Sequence, residues 1–184
     1  MFVTTWFIQI PENLFLPKKS DGDDAGPDEL LTYVYGAQPP HLPVQPASSS
    51  TTVERQNYTT KVNEAVKFYS DKTILTATNK EVTRLNERVM DRLQGDEKIF
   101  CSADSVDQDN AASAAYTTEF LNCLEFSGVP PHRLQLKLGC VIMLLRNLCN
   151  RDGLCNGTRI LLTKMGHRVL QGIILTGKYK YMHS

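Results

Sequence analysis

The residues with most chemical use in this chain form a run of hydrogen-bond donors: Asn156, Gly157, Thr158 and Arg159, with Arg146 and Asn147 a short way upstream. Asn and Gly tolerate left-handed backbone geometry, so Asn156-Gly157 marks a turn. Amides exposed at such a turn, beside the Arg159 guanidinium, could meet a phosphate oxygen. A plain structural turn is the alternative. A second set, Thr76, Thr78 and Asn79, stands where an apolar run gives way to a helical pattern. The start of a helix is partially positive and suits an anion; ordinary capping is the alternative there. These nine residues are the candidates for nucleic-acid contact.

Other chemistry is excluded or weak. Thr176-Gly177-Lys178 imitates the end of a phosphate-binding loop, but Ile173-Ile174-Leu175 precede it and Tyr179 follows. A real loop of that kind needs glycines before the Gly-Lys, a Ser or Thr after it, and then a helix. A turn at the end of a hairpin is the better reading. No Ser-His-Asp or Cys-His pairing and no acid dyad stands out. The five cysteines, Cys101, Cys123, Cys140, Cys149 and Cys155, show no framework spacing and read as free thiols in a reducing compartment. No second close pair completes a zinc set with Cys149, Cys155 and His167, so no metal site is expected.

Charge is zero overall but unevenly spread. Residues 1–60 hold three basic side chains (Lys18, Lys19 and Arg55) against seven acidic ones. From His132 onward there are nine (Arg133, Lys137, Arg146, Arg151, Arg159, Lys164, Arg168, Lys178, Lys180) against the single acid Asp152. A basic half of this kind fits a polyanion partner. The apolar start, residues 1–10, is too short to span a membrane, has no basic flank and stops at Pro11, so neither a signal peptide nor a membrane partner is expected.

The elements that must position these residues follow from periodicity. Residues 6–10 read as a short strand and 28–35 as a helix with Pro27 at its first position. Residues 38–52 carry Pro39, Pro40, Pro43 and Pro46 and then a Ser/Thr run, a pattern expected to form a loop outside any core. Val62, Ala65, Val66 and Tyr69 recur at helical spacing from Tyr58. Residues 73–78 suit a buried strand, Asn79 an N-cap, and Val82, Leu85, Val89 and Leu93 one stripe of a helix, with Arg84, Glu87, Arg88 and Asp91 outward and Gly95 at its stop. A strand over 99–103, a short helix from Thr117 or Thr118 to Leu124, and a turn at 127–131 come next. Beyond them the pattern is β: alternation at Leu134, Leu136 and Leu138, a break at Gly139, then strands over 140–145, 159–164 and 169–175.

Several blocks in order carry a family likeness. Ile74-Leu-Thr-Ala-Thr-Asn-Lys-Glu-Val-Thr-Arg-Leu-Asn86 resembles the start of the second RecA-like domain of Pif-family helicases, the Helitron-transposon kind. Tyr116-Thr-Thr-Glu-Phe-Leu-Asn122, Ser127-Gly-Val-Pro-Pro-His132, Leu134-Gln-Leu-Lys-Leu-Gly139, Val141-Ile-Met-Leu-Leu-Arg-Asn-Leu148 and Gly153-Leu-Cys-Asn-Gly-Thr-Arg159 follow in the family's order. Ile8-Gln-Ile-Pro11 looks like the family's stretch upstream of that domain.

The resemblance implies an α/β fold: a partial second RecA-like domain of the P-loop NTPase helicase type, with a β-rich insertion. The corresponding division is 1–37 as an upstream strand and helix, 38–57 as linker or loop, 58–131 as the α/β start of the domain, and 132–184 as the basic β-rich segment. It implies ATP-dependent DNA unwinding in the parent, with ATP and Mg2+ as cofactors, single-stranded DNA as partner, the remainder of the helicase alongside, and an intracellular, nuclear setting. The sequence holds no glycine-rich Lys-Ser/Thr loop, the family's acidic magnesium motif and Gly-Asp-x-x-Gln stretch are expected before Met1, and its arginine-bearing block after Ser184, so no catalytic residue is carried over and the chain alone is expected to be inactive as an ATPase. The rival expectations are a self-standing single-stranded nucleic-acid-binding module and an inert transposon-derived remnant.

Overall fold

A computed structural model describes residues 2–3, 27–36, 38–76, 78–104, 117–124 and 129–177. The expected strand over residues 6–10 lies outside them, as do Ser127 and Gly128 of the turn at 127–131 and Lys178 and Lys180.

Helix α1 (Pro27–Tyr35) opens on Pro27, Asp28 and Glu29, which suits the missing proline N–H and the positive helix start. It buries Leu31 and Tyr35, one turn apart. Asp28 pairs with Arg88, and with Arg92 at 3.2 Å, on another helix; the Arg88 guanidinium holds the Asp28 carboxyl below its ordinary range. Arg88 is therefore half-buried over α1, where the outward stripe had placed it in solvent.

Helix α2 (Thr52–Ser70) begins earlier than periodicity suggested, inside the residues assigned to a linker. The reason is a capping box: Thr51 Oγ1 accepts from Glu54 N at 3.3 Å and Glu54 Oε2 accepts from Thr51 N at 2.9 Å. Its buried face is Val62, Ala65, Val66 and Tyr69, as the spacing predicts. The proline-rich stretch before it has no helix or strand, yet it does reach the core. Leu42 is 2% exposed and lies against Gly139, so the expectation that this stretch stays outside the core is corrected. Four prolines remove backbone donors, not the ability of one leucine to bury its side chain.

The expected strand over 73–78 contracts to a single bridge residue, Ile74, which is buried, while Leu75 is 56% exposed. A strand buried on both faces requires neighbours in a covered sheet. Among the described strands every pairing is antiparallel and none involves this segment, so the parallel sheet of a RecA-like domain is not seen there. The class is mixed helix and sheet. Helix α3 (Asn79–Arg92) is capped by Thr78, whose Oγ1 accepts from Glu81 N at 3.3 Å. Asn79 is thus the first helical residue, not the cap. Leu85, Val89 and Leu93 are buried as the stripe requires, joined by Asn86 and Met90. Lys137 closes the far end by donating to Met90 O at 2.8 Å and Leu93 O at 3.1 Å, which suits a cation at the negative end of a helix.

Strand β2 (Lys98–Cys101) pairs antiparallel with β3 (Arg133–Leu136), Lys98 opposite Leu136 and Cys101 opposite Arg133. Between them lies helix α4 (Thr118–Asn122), capped by Thr117. A four-stranded antiparallel sheet runs β1 (Phe2–Val3), β4 (Val141–Leu144), β5 (Arg159–Met165), β6 (Leu170–Ile174). Every residue of β4 and the first five of β5 are buried, so these strands read as continuous apolar runs and not as alternations. Gly172 in β6 allows the close approach to β5: a Cβ there would stand 2.4 Å from Ile160 Cγ2 and 2.6 Å from Leu161 O. Cys140 sits in the same core, where burial pushes its thiol up to about 12 and makes it inert at neutral pH. One core gathers the buried faces of α1, α2 and α3, Leu42, and the strands from β3 to β6.

Candidate nucleic-acid interface

The loop joining β4 to β5 is built almost entirely from its own hydrogen bonds. Leu148 N and Cys149 N donate to Leu154 O at 2.8 and 3.1 Å, and Leu154 N donates back to Cys149 O at 2.9 Å. A 3-10 turn at Asn150–Asp152 closes this miniature hairpin, with Gly153 after it. Asn156 N donates to Asn147 Oδ1 at 2.7 Å, which commits the Asn147 oxygen and leaves its amide nitrogen as the group it can offer. Gly157, at φ +85°, makes the turn that the Asn-Gly pair predicts, and its N–H donates to Leu144 O at 2.8 Å. Thr158 is buried: its hydroxyl donates to Gly153 O at 2.8 Å and accepts from Cys155 N at 3.2 Å.

The amides at the Asn156-Gly157 turn are therefore spent inside the loop. What the loop presents outward is side chain. Arg146, Asn147, Asn150, Arg151 and Asn156 are exposed, with the single acid Asp152, and so is Leu148 at 51%. Arg151 was not singled out from sequence. Its one signal was membership of the basic half, and nothing local separates it from Arg133 or Arg168.

Arg159 does something different from the expected phosphate contact. Only 9% exposed, its guanidinium turns inward and donates to Tyr69 O at 2.8 Å, Lys72 O at 2.8 Å and Ser70 O at 3.5 Å. Tyr69 and Ser70 end α2, so the arginine places a cation at the helix's negative end and adds a charged donor to Tyr69 O, which also accepts from Asp71 N and, at 3.4 Å, from Lys72 N. Burial lowers the guanidinium's affinity for its proton, but an arginine remains charged at any ordinary pH. Its backbone N–H donates to Thr176 Oγ1 at 3.2 Å, binding β5 to the second residue beyond β6.

Thr76, Thr78 and Asn79 stay together at the start of α3, held by local bonds: Thr76 Oγ1 to Thr78 O at 3.2 Å and Thr83 Oγ1 to Asn79 O at 3.1 Å. Thr78 already caps Glu81 N, and the Glu81 carboxylate stands in that first turn, 3.7 Å from Arg84. A fixed negative charge there weakens the attraction for an anion. An open groove of about 1180 Å³ lies elsewhere, beside α2 and β5. It carries both signs of charge, Arg55, Lys98 and Lys164 with Asp96 and Glu97. Arg55 is bonded to Ser48 O and Lys98 Nζ to Gly166 O at 2.6 Å, so the groove is poorly suited to a polyanion.

Among the described residues none is arranged to hold a metal ion or the phosphates of a nucleotide. Among the described residues no group of three or more His, Cys, Asp or Glu side chains gathers to hold a metal ion. Thr176 and Gly177 come after strand β6, with the Thr176 hydroxyl accepting from Arg159 N, and the buried Arg159 guanidinium faces carbonyls; no nucleotide step is assigned to them. Nor, among the described residues, is any helix long and apolar enough to cross a membrane.

No curated protein matches the chain. Residues 119–165 match the family model of the DNA helicase Pif1, 2B domain. The matched stretch runs from α4 through β3 and β4 to the end of β5 and contains the whole exposed loop. This part of the chain is thus similar to a domain of Pif1-like DNA helicases.

Proposed function

We propose that the chain is a piece of a Pif-family helicase of the Helitron kind, ATP-dependent as a whole protein, and that its β4–β5 loop grips the backbone of single-stranded DNA in an intracellular, nuclear setting. The observation that carries this reading is the coincidence of the family match with the exposed basic loop. Arg146 and Arg151 supply full positive charges at the rim of a loop fixed by its own bonds. Each can neutralise a phosphate and release its condensed counterions. The Asn147 amide nitrogen, with Asn150 and Asn156, offers donors to phosphate or sugar oxygens, and Leu148 gives a base an apolar surface. Thr76, Thr78 and Asn79 remain a secondary anion contact, weakened by Glu81. Arg159 and Thr158 serve the interface from beneath by fixing the strand that carries it. In the whole helicase ATP and Mg2+ would act on other segments.

Fluorescence anisotropy with a labelled single-stranded oligonucleotide tests this. Two phosphate contacts on a single strand give a slope of log affinity against log salt near −1.4. Affinity should then fall about sevenfold between about 50 and about 200 mM salt. Absence of binding at the lower salt would remove the proposal.

A further inference from the structure

Ser102, Asp104, Asn122 and His132 converge at the point where β2 ends, α4 packs and β3 begins. Ser102 Oγ donates to Asp104 Oδ2 at 2.6 Å and lies 2.7 Å from His132 Nδ1, which is 3.6 Å from the same carboxylate oxygen. The Asn122 amide nitrogen, turned toward them, lies 3.1 Å from Asp104 Oδ2, 3.2 Å from His132 Nδ1 and 3.2 Å from Thr118 O. The residue types suggest a hydrolytic triad, but the geometry excludes one. A triad places hydroxyl and carboxylate on opposite ring nitrogens, whereas here both stand at Nδ1.

The hydrogen count makes this cluster sensitive to one proton. Ser102 has a single hydroxyl hydrogen, and when it is given to Asp104 the lone pair of a neutral Nδ1 is left for the Asn122 amide. A protonated Nδ1 is a donor. It repels the amide N–H and is attracted to Ser102 Oγ and the Asp104 charge. Asp104 is the ionisable group the ring faces; Glu119 in α4 and Arg133 beside the histidine are exposed, as are Cys101 and Cys123. The consequence falls on α4. None of its residues is buried and Phe120 is 48% exposed, so polar ties count for much of its attachment.

We propose that these four side chains form a proton-controlled latch: neutral His132 accepts the Asn122 amide and helps Asp104 fasten α4 to the β2–β3 ladder, and protonated His132 turns to Ser102 and Asp104, gives up that bond and loosens α4, which the Asn122–Asp104 contact still holds. Amide hydrogen exchange measured by NMR at about pH 5 and about pH 8 compares the two states of the latch. With rates corrected for intrinsic exchange, α4 protection should fall about fivefold at the lower pH, the worth of one net hydrogen bond, while β4 and β5 stay unchanged. His132→Gln should abolish the pH response. Asn122→Ala, which removes the Asp104 contact as well, should bring α4 protection at the higher pH to or below the level of the unmodified chain at the lower one and abolish its pH response. Equal α4 protection at both pH values, or a pH response that survives His132→Gln, overturns the latch. The β4 and β5 amides report whether each variant has folded.

Discussion

Replacing Arg159 by alanine should lower the stability of the chain by about 3 kcal/mol and leave the exposed loop chemistry untouched. The guanidinium is buried and serves three backbone carbonyls, Tyr69, Ser70 and Lys72. Its removal takes the charged donor from those acceptors, leaves Tyr69 O with only the Asp71 and Lys72 N–H groups, uncovers the negative end of α2 and opens a gap in the buried interior. For a chain of this length the loss corresponds to a fall in Tm of roughly 6–12 °C. Arg159→Lys keeps the charge but not the planar fork, so one ammonium must replace several directed donors; an intermediate loss is expected. Thermal unfolding followed by circular dichroism reads both variants. An unchanged Tm accompanied by lost DNA binding would return Arg159 to the role its sequence context suggested.

The double variant Arg146→Ala, Arg151→Ala should behave in the opposite way. Both side chains are exposed, so unfolding should be unmoved. Affinity for a single-stranded oligonucleotide at about 50 mM salt should fall roughly tenfold, and the salt slope should shrink by about 1.4 as two phosphate contacts disappear. Loss of slope is the informative part, because a variant that only loosened the loop would lose affinity at all salt concentrations alike. A slope that stays as steep as before would move the backbone contacts to other cations such as Arg133, Lys164 or Arg168.

The sequence was legible where one rule dominates. Helical spacing located the buried faces of α2 and α3, Thr117 marked the start of α4, and long apolar runs located β4, β5 and β6. The Asn156-Gly157 turn stands where its backbone preference placed it. Errors arose where a distant partner decides. Residues 73–78 have the composition of a buried strand, but none of the described strands pairs with them and only Ile74 makes a bridge. Leu42 looked stranded among prolines until Gly139 and the core beyond it came into view. Arg159 is the sharpest case. Nothing local separates a guanidinium that meets solvent from one that meets a helix end 90 positions earlier in the chain. The Ser102–His132 contact, 30 positions apart, was invisible for the same reason.

The central claim is that the β4–β5 loop, and not the buried Arg159, receives the nucleic-acid backbone. Titrating a thymidine oligonucleotide into 15N-labelled protein tests it most directly, by following backbone amides together with arginine Nε–H signals. The account predicts saturable shifts confined to residues 146–157, with Arg146 and Arg151 Nε–H moving and Arg159 Nε–H still. Shifts centred on Arg159, on the start of α3 or on the groove beside α2, with the loop unmoved, would contradict it.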